Sequence, residues 1–148
     1  MDLLGIIVPF LVVLTIVVFV HELGHYLVGR WCGIGAEAFS IGFGPELFGF
    51  NDRNGTRWRV AALPLGGYVK FIGDRDPASV RPGMEDVAGS FQSASLAARA
   101  ATVAAGPFAN FILSILIFAV MAFAYGEVKL LPRVDGVQEN SPAERAGF

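Results

Sequence analysis

Both histidines of the chain stand in one pentapeptide, His21-Glu22-Leu23-Gly24-His25. On a helix, residues four apart differ by about 40° in direction and about 6 Å in height, so two imidazole nitrogens can reach one Zn²⁺ ion. Glu22 lies about 100° from His21 around the helix, where its carboxylate would reach a water molecule beside the metal rather than the metal itself. The spacing therefore predicts a catalytic zinc site with His21 and His25 as ligands and Glu22 as general base.

Composition places this motif in a membrane protein. The chain has 148 residues, of which 54% are hydrophobic and 16% are charged, whereas a soluble domain has about 25% charged residues. The net charge of −2 excludes a strongly basic nucleic-acid-binding protein, so no nucleic acid partner is expected. The single cysteine, Cys32, excludes an intramolecular disulfide framework and a cysteine-only zinc cluster.

Two uncharged apolar stretches are long enough to cross a bilayer. As a helix, residues 3–20 would span about 27 Å, close to the ~30 Å hydrocarbon core, and the histidine motif follows directly. This predicts a first transmembrane helix over residues 3–32. A retained helix is expected rather than a cleaved signal peptide, because no basic residue precedes the stretch and no small-residue cleavage site follows it. The second transmembrane helix is expected over residues 100–125, with Gly106-Pro107 as a kink or as the start of the span.

Basic residues indicate the orientation of the two spans. Of the 11 Lys and Arg residues, eight lie between the apolar stretches 3–20 and 100–125, three follow the second stretch, and none precedes the first. By the positive-inside rule, residues 34–99 lie on the cytoplasmic side and the N-terminus lies on the extracytoplasmic side. The zinc site would then lie just inside the cytoplasmic face of the membrane.

The segment between the spans is predicted to contain a small antiparallel sheet over residues 34–75. Alternating apolar runs occupy 38–43, 46–50, 56–63 and 68–72, and Asn54-Gly55 is a strong hairpin-turn signal between the second and third runs. Its aromatic residues indicate either contact with lipid or the packed face of the sheet itself; they are Phe39, Phe43, Phe48, Phe50, Trp58 and Phe71. Residues 76–99 are expected to form a cytoplasmic loop followed by a helix lying on the membrane.

A third zinc ligand is missing from the motif. Cys32 shares the helix face of the two histidines but lies about 10 Å further along the axis than His25, which is too far for a common metal. Four carboxylates lie in the loop between the spans with nothing to fix them near the metal; they are Asp74, Asp76, Glu85 and Asp86. Because a catalytic zinc takes three protein ligands, the third ligand is expected to lie outside this chain.

Four stretches together resemble one family. They are the histidine motif at the end of a first transmembrane helix, Gly42-Phe43-Gly44 with residues 64–70, residues 105–110, and residues 141–147. This combination is similar to the site-2 protease family of intramembrane zinc metalloproteases, in its bacterial branch of regulators of sigma-E. The resemblance implies a multi-pass α-helical protein of the bacterial inner membrane, with two transmembrane helices here and a membrane-associated sheet between them.

The resemblance also implies roles for individual residues. His21 and His25 would bind Zn²⁺ and Glu22 would act as the base. The sheet around Gly42, Phe43 and Gly44 would dip into the bilayer and hold the substrate as an added strand, although plain turn glycines are the competing interpretation. Asn110 would either position the substrate beside the zinc or form a hydrogen bond between helices.

The resemblance further implies the substrate and the shape of the C-terminus. The substrate would be a transmembrane segment of another protein, such as an anti-sigma factor or a remnant signal peptide. Residues 126–148 would be extracytoplasmic and contain the truncated start of a PDZ domain, so the chain alone is expected to be inactive. Two other functions stay open: a non-catalytic membrane adaptor carrying a PDZ domain, and a membrane metal carrier. The carrier would need further ligands along a pathway, and the adaptor would not need Glu22.

Overall fold

The computed structural model describes residues 2–74, 87–126, 136, 139 and 141–147 of the chain. The elements, in order, are α1 (Leu3–Trp31), β1 (Ala36–Asn51), β2 (Arg57–Phe71), α2 (Leu96–Tyr125) and α3 (Pro142–Arg145). The chain divides into two compact units, Met1–Leu116 and Ile117–Phe148, and the first contains the histidine motif. In the second unit, the Ser141 side chain caps α3 by accepting a hydrogen bond from the backbone N–H of Glu144. The PDZ interpretation of this region stays a prediction.

Both long helices have the length and composition of membrane spans. The most apolar 18-residue stretch of each contains no buried residue, unlike a core helix of a soluble protein. This confirms the two predicted apolar helices. α1 ends at Trp31 with Arg30 in its last turn, where a positive charge interacts favourably with the helix dipole.

The helix expected to lie on the membrane is not a separate element. The structure joins that segment to the second span in the single helix α2, and Gly106-Pro107 lies inside it. The N-terminus is capped by Ser95, whose Oγ accepts a hydrogen bond from the Ala98 backbone N–H at 3.2 Å. Many alanines favour helix here, and a proline removes only one backbone donor from the ladder, so the helix continues. The loop expected before it, residues 76–86, lies outside the described residues.

The predicted antiparallel sheet is present, but it consists of two long strands rather than four short ones. β1 pairs with β2, and the register shifts at several points along both strands. This pairing lays four segments side by side, in the order 46–51, 57–61, 38–41 and 67–71. The segment 67–71 therefore forms one edge of the sheet. The predicted hairpin turn lies between the strands, with Gly55 at a φ of +83°.

Two glycines allow β1 to change direction without ending. Gly42 and Gly44 have φ values of +87° and +89°, which are unfavourable for residues with a side chain. A Cβ on Gly42 would also lie 2.7 Å from the carbonyl oxygen of Leu63 in the neighbouring strand. The fold of the hairpin itself thus accounts for these glycines, whether or not a substrate also approaches them.

The core of the first unit forms where the sheet packs against α1. Phe39 is fully buried, stacks on Trp58 with ring centroids 4.2 Å apart, and meets the edge of Tyr26 at 5.9 Å. Phe71 is also buried, so for Phe39 and Phe71 the packed face of the sheet, and not lipid contact, is the correct alternative. Both side chains lie on the face of the sheet that α1 covers. Three other aromatic residues are exposed; they are Phe43, Phe48 and Phe50.

A carboxylate fixes the hairpin turn to α1. Oδ2 of Asp52 accepts hydrogen bonds from the Tyr26 hydroxyl at 2.8 Å and from Nε1 of Trp58 at 3.2 Å. Its Oδ1 accepts from the backbone N–H groups of Asn54 and Thr56. Burial of Asp52 raises its pKa, but the four hydrogen bonds outweigh that effect and lower the pKa from 3.8 to about 2. The ionised side chain therefore joins the turn, the strand and the helix.

We expect Asp52→Asn to lower the Tm of the purified protein at neutral pH. Because the folded-state pKa is about 2 and the ordinary value is 3.8, the carboxylate stabilises the fold fully above about pH 4 and loses its contribution as the pH falls toward 2. The difference in Tm between wild type and variant should shrink over this interval, as measured by circular dichroism in detergent. Asp74→Asn, at an exposed carboxylate, is the control. A difference that stays constant from neutral pH to pH 2 would contradict this role.

Candidate metal centre and catalytic base

Packing against α2 fixes the ring of His25. Its Nδ1 lies 2.7 Å from the backbone carbonyl oxygen of Thr102. A carbonyl oxygen can only accept a hydrogen bond, so Nδ1 carries the proton and the lone pair is on Nε2. This is the arrangement in which protein imidazoles bind metals, with the other ring nitrogen held by a protein acceptor.

The ring of His21 is also held from α2. Its Nδ1 lies 3.2 Å from the side-chain amide of Asn110. The two imidazoles are 4.8 Å apart between centroids and nearly perpendicular, at 83°. Each ring therefore has its Nδ1 directed to α2, which leaves both Nε2 atoms for another partner.

Gly106 shows where the two Nε2 atoms point. A Cβ built on this buried glycine would lie 2.8 Å from Nε2 of His21 and would collide with Nε2 of His25. Both nitrogens therefore face the same small space in front of Gly106. Zinc binds imidazole at about 2.0–2.1 Å, so this space and this donor pair fit a zinc ion. His21 and His25 are the residues that would hold it.

The close approach of the two helices depends on small residues. A Cβ on Gly24 would lie 2.5 Å from the carbonyl oxygen of Ala105 and 2.8 Å from Cβ of Ala109. Further along α1, a Cβ on Gly29 would lie 2.6 Å from the Phe71 ring of the sheet and 3.3 Å from the Thr102 side chain of α2. Small residues at such crossings let helix backbones come together in a membrane, and here they bring α2 within hydrogen-bonding distance of both histidines.

Glu22 lies beside the edge of the sheet. A Cβ on Gly67 would be 3.3 Å from Cγ of Glu22 and 2.9 Å from Cγ1 of Val18. The strand can therefore pass next to the glutamate only because this residue is glycine. As a result, the carboxylate-bearing side chain and the edge segment 67–71 are neighbours.

The structure brings together some of the predicted site residues. His21, His25 and Asn110 are in contact, and Glu22 follows His21 on the same helix. The ring of Phe43 stacks on Tyr68 at 6.2 Å and covers Gly66, next to the strand position that Glu22 contacts.

Neither the cysteine nor the loop carboxylates join the site. Cys32 is exposed, and Asp74 is exposed as well. Asp76, Glu85 and Asp86 lie outside the described residues. Within residues 2–74, 87–126 and the described C-terminal positions, no three His, Cys, Asp or Glu side chains form a group that could hold a metal.

Sequence reasoning missed two contributors to the site. Gly106 was interpreted only as a helix kink or as the start of the second span, although it lies at the base of the space that both imidazoles face. The Thr102 carbonyl is invisible to motif analysis because every residue has one. Spacing was the available signal: Thr102, Gly106 and Asn110 recur every four residues, as His21, His25 and Gly29 do, so each set lies along one helix face.

Comparisons with a family model and with individual proteins indicate the same family. The model of Peptidase family M50 matches residues 9–144. A relative from Mesorhizobium japonicum is 56% identical over 98% of this chain and 42% of its own length, and one from Agrobacterium fabrum is 59% identical over 97% and 40%. Both carry zinc metalloprotease names. Metalloprotease MmpA of Caulobacter vibrioides is 44% identical over 95% of the chain and 39% of its own length. The chain belongs to peptidase family M50 and spans about two fifths of the length of these relatives.

Gly106→Ala should weaken zinc binding by roughly 10–100-fold, the size of effect expected when the surroundings of a metal ligand are disturbed. The added methyl group would occupy the space between the two Nε2 atoms. The measurement is zinc affinity of the purified full-length protein in competition with a chelator. Gly5→Ala is the matched control, because this α1 glycine has no atom within 4 Å of a built Cβ. Wild-type zinc affinity in Gly106→Ala would show that the metal does not lie in front of this residue.

Proposed function

We propose that this member of peptidase family M50 supplies the zinc-binding and proton-transfer groups of an intramembrane zinc endopeptidase. The observation that carries the proposal is the convergence of the His21 and His25 Nε2 atoms in front of Gly106, with Glu22 adjacent in the same helix. A catalytic zinc uses three protein ligands, so the remaining ligand would come from the part of the full-length protein beyond the residues described. The complete active site is therefore a property proposed for the whole protein.

The proposed reaction is hydrolysis of a peptide bond. A zinc ion held by His21 and His25 would supply Lewis-acid polarisation of the scissile carbonyl and of water. Glu22 takes a proton from the attacking water as the new carbon–oxygen bond forms. It then returns that proton to the amide nitrogen as the carbon–nitrogen bond breaks, so the carboxylate is regenerated.

The sheet would present the substrate to this site. A transmembrane helix satisfies its backbone hydrogen bonds internally, so it must be unwound before its peptide bonds become accessible. Pairing with an edge strand replaces those hydrogen bonds. The contact between Gly67 and Glu22 supports this role for the edge segment 67–71. We include Gly42, Phe43 and Gly44 in the substrate-binding region because Phe43 packs on that strand at Gly66.

The substrate is proposed to be a transmembrane segment of a single-pass protein, of the anti-sigma-factor or remnant-signal-peptide type. Cleavage would occur near the cytoplasmic face of the bacterial inner membrane. The distribution of the basic residues supports this orientation, since eight of the 11 lie between the uncharged stretches 3–20 and 100–125.

Glu22→Gln tests the proposed chemistry. The amide has nearly the same shape but cannot accept the proton, so we expect cleavage of a membrane substrate by the full-length protein to fall by at least roughly 10²–10⁴-fold. Zinc content should be unchanged, because Glu22 is not proposed as a ligand. The matched control is Glu37→Gln, at an exposed carboxylate that pairs with Lys70 at 3.0 Å.

Two results would contradict this assignment. Cleavage by Glu22→Gln at the wild-type rate would exclude Glu22 as the base and favour the adaptor function. Loss of zinc from Glu22→Gln, with the metal retained in Glu37→Gln, would make Glu22 a ligand instead.

The exposed apolar edge segment 46–51 of the sheet is proposed to contact lipid. Leu47, Phe48 and Phe50 are 70%, 67% and 53% exposed, which is unusual for clustered apolar side chains facing water. A spin label at Phe48→Cys, in a Cys32→Ser background, should be more accessible to oxygen than to a water-soluble nickel complex when the protein is in vesicles. A label at Asn54→Cys in the polar turn should show the reverse. Equal nickel accessibility at the two positions would exclude lipid contact.

A further inference from the structure

We propose that Asn110 is a positioning residue for His21: its side-chain oxygen accepts the Nδ1 proton and so directs the Nε2 lone pair into the space in front of Gly106. This inference rests on the proposed zinc-dependent function. In this proposal Asn110 acts on the His21 ring and does not contact the substrate directly.

The two histidines differ in the group that contacts Nδ1. For His25 the partner of Nδ1 is a carbonyl oxygen, which fixes the proton on Nδ1. For His21 the partner is a primary amide 3.2 Å away, and an amide can present either its oxygen or its nitrogen. If the nitrogen faced the ring, Nδ1 would accept and the proton would be on Nε2, which then could not bind a cation. Only the oxygen gives His21 the same tautomer as His25.

The position of Asn110 in α2 agrees with this assignment. Thr102 precedes Gly106 by four residues and Asn110 follows it by four, so both lie on the helix face of the glycine, one turn to either side. Each histidine therefore has one acceptor from α2, and the two acceptors flank the space that both Nε2 atoms face. The same stretch of helix supplies the floor of the site and both supports for its ligands.

The end of the Asn110 side-chain amide that points away from His21 is buried. In the structure, the amide nitrogen of Asn110 faces the His21 ring. The side-chain oxygen Oδ1 is at the opposite end; it is buried and has no hydrogen-bond partner among the described residues. A 180° rotation of the amide exchanges oxygen and nitrogen with little change in shape. This rotation places Oδ1 next to Nδ1 of His21. The orientation of the amide is therefore set by the tautomer of His21, which in turn depends on metal binding at Nε2.

Three variants of the full-length protein test the proposal through zinc affinity, measured by chelator competition. Asn110→Leu keeps the size of the side chain but has no acceptor, so zinc should bind roughly 10–100-fold more weakly. Asn110→Asp offers an acceptor at either end and no donor, so it should bind zinc at least as tightly as wild type. Ser114→Ala is the control, because it removes the hydrogen bond from Ser114 Oγ to the backbone carbonyl oxygen of Asn110 at 3.0 Å and leaves the side-chain amide of Asn110 in place.

Three other outcomes of these measurements would contradict the proposal, each for a different reason. If Asn110→Asp binds zinc as weakly as Asn110→Leu, the amide acts as a donor and the proposal is wrong. If Asn110→Leu binds zinc like wild type but cleaves substrate slowly, Asn110 acts on the substrate instead. If wild type itself binds no zinc, the proposed function fails, and this inference fails with it.

A second measurement does not depend on how the variants fold. In metal-free wild-type protein labelled with ¹⁵N-histidine, the His21 signal should show a proton on Nδ1 and none on Nε2. The opposite pattern would overturn the proposal directly.

Discussion

The close approach of α1 and α2 at Gly24 is the contact on which the candidate site depends. With the backbones this close, α2 provides a hydrogen-bonding partner to each histidine and leaves room for their Nε2 atoms only because residue 106 is glycine. A larger residue at either position would separate the helices or fill the space between the imidazoles. The histidine motif would supply the ligands, and the second helix determines where their imidazole rings point.

The sheet is tied to the same helix by a different kind of interaction. Asp52 accepts four hydrogen bonds, one of them from Tyr26, the residue that follows His25. Together with the burial of Phe39 against α1, this fixes the hairpin next to the metal position. The edge strand thereby reaches Glu22 at Gly67. Strand, base and ligands share α1 as their common support, so a displacement of the hairpin would also move the proposed substrate strand relative to the base.

Much of this arrangement could be predicted from the sequence, because its strongest signals are local. Apolar length predicted both helices, Asn54-Gly55 predicted the turn, and the spacing of His21 and His25 predicted two neighbouring imidazoles on one helix face. Contacts between distant segments could not be predicted. Which aromatic side chains of the sheet are buried depends on where α1 lies. The importance of Gly106 depends on the crossing of two helices that are far apart in the sequence. The short apolar runs at 38–43 and 46–50 are not separate strands, because Gly42 and Gly44, at positive φ, let β1 bend without ending.

The central claim is that Nε2 of His21 and Nε2 of His25 bind one zinc ion in front of Gly106. Zinc K-edge X-ray absorption on the purified full-length protein tests it most directly. The account predicts bound zinc with two imidazole nitrogens at about 2.0–2.1 Å and no sulfur ligand, and loss of the imidazole signal in His21→Ala and His25→Ala. Bound zinc with a sulfur neighbour, or an imidazole signal that persists in the double variant, would contradict the account.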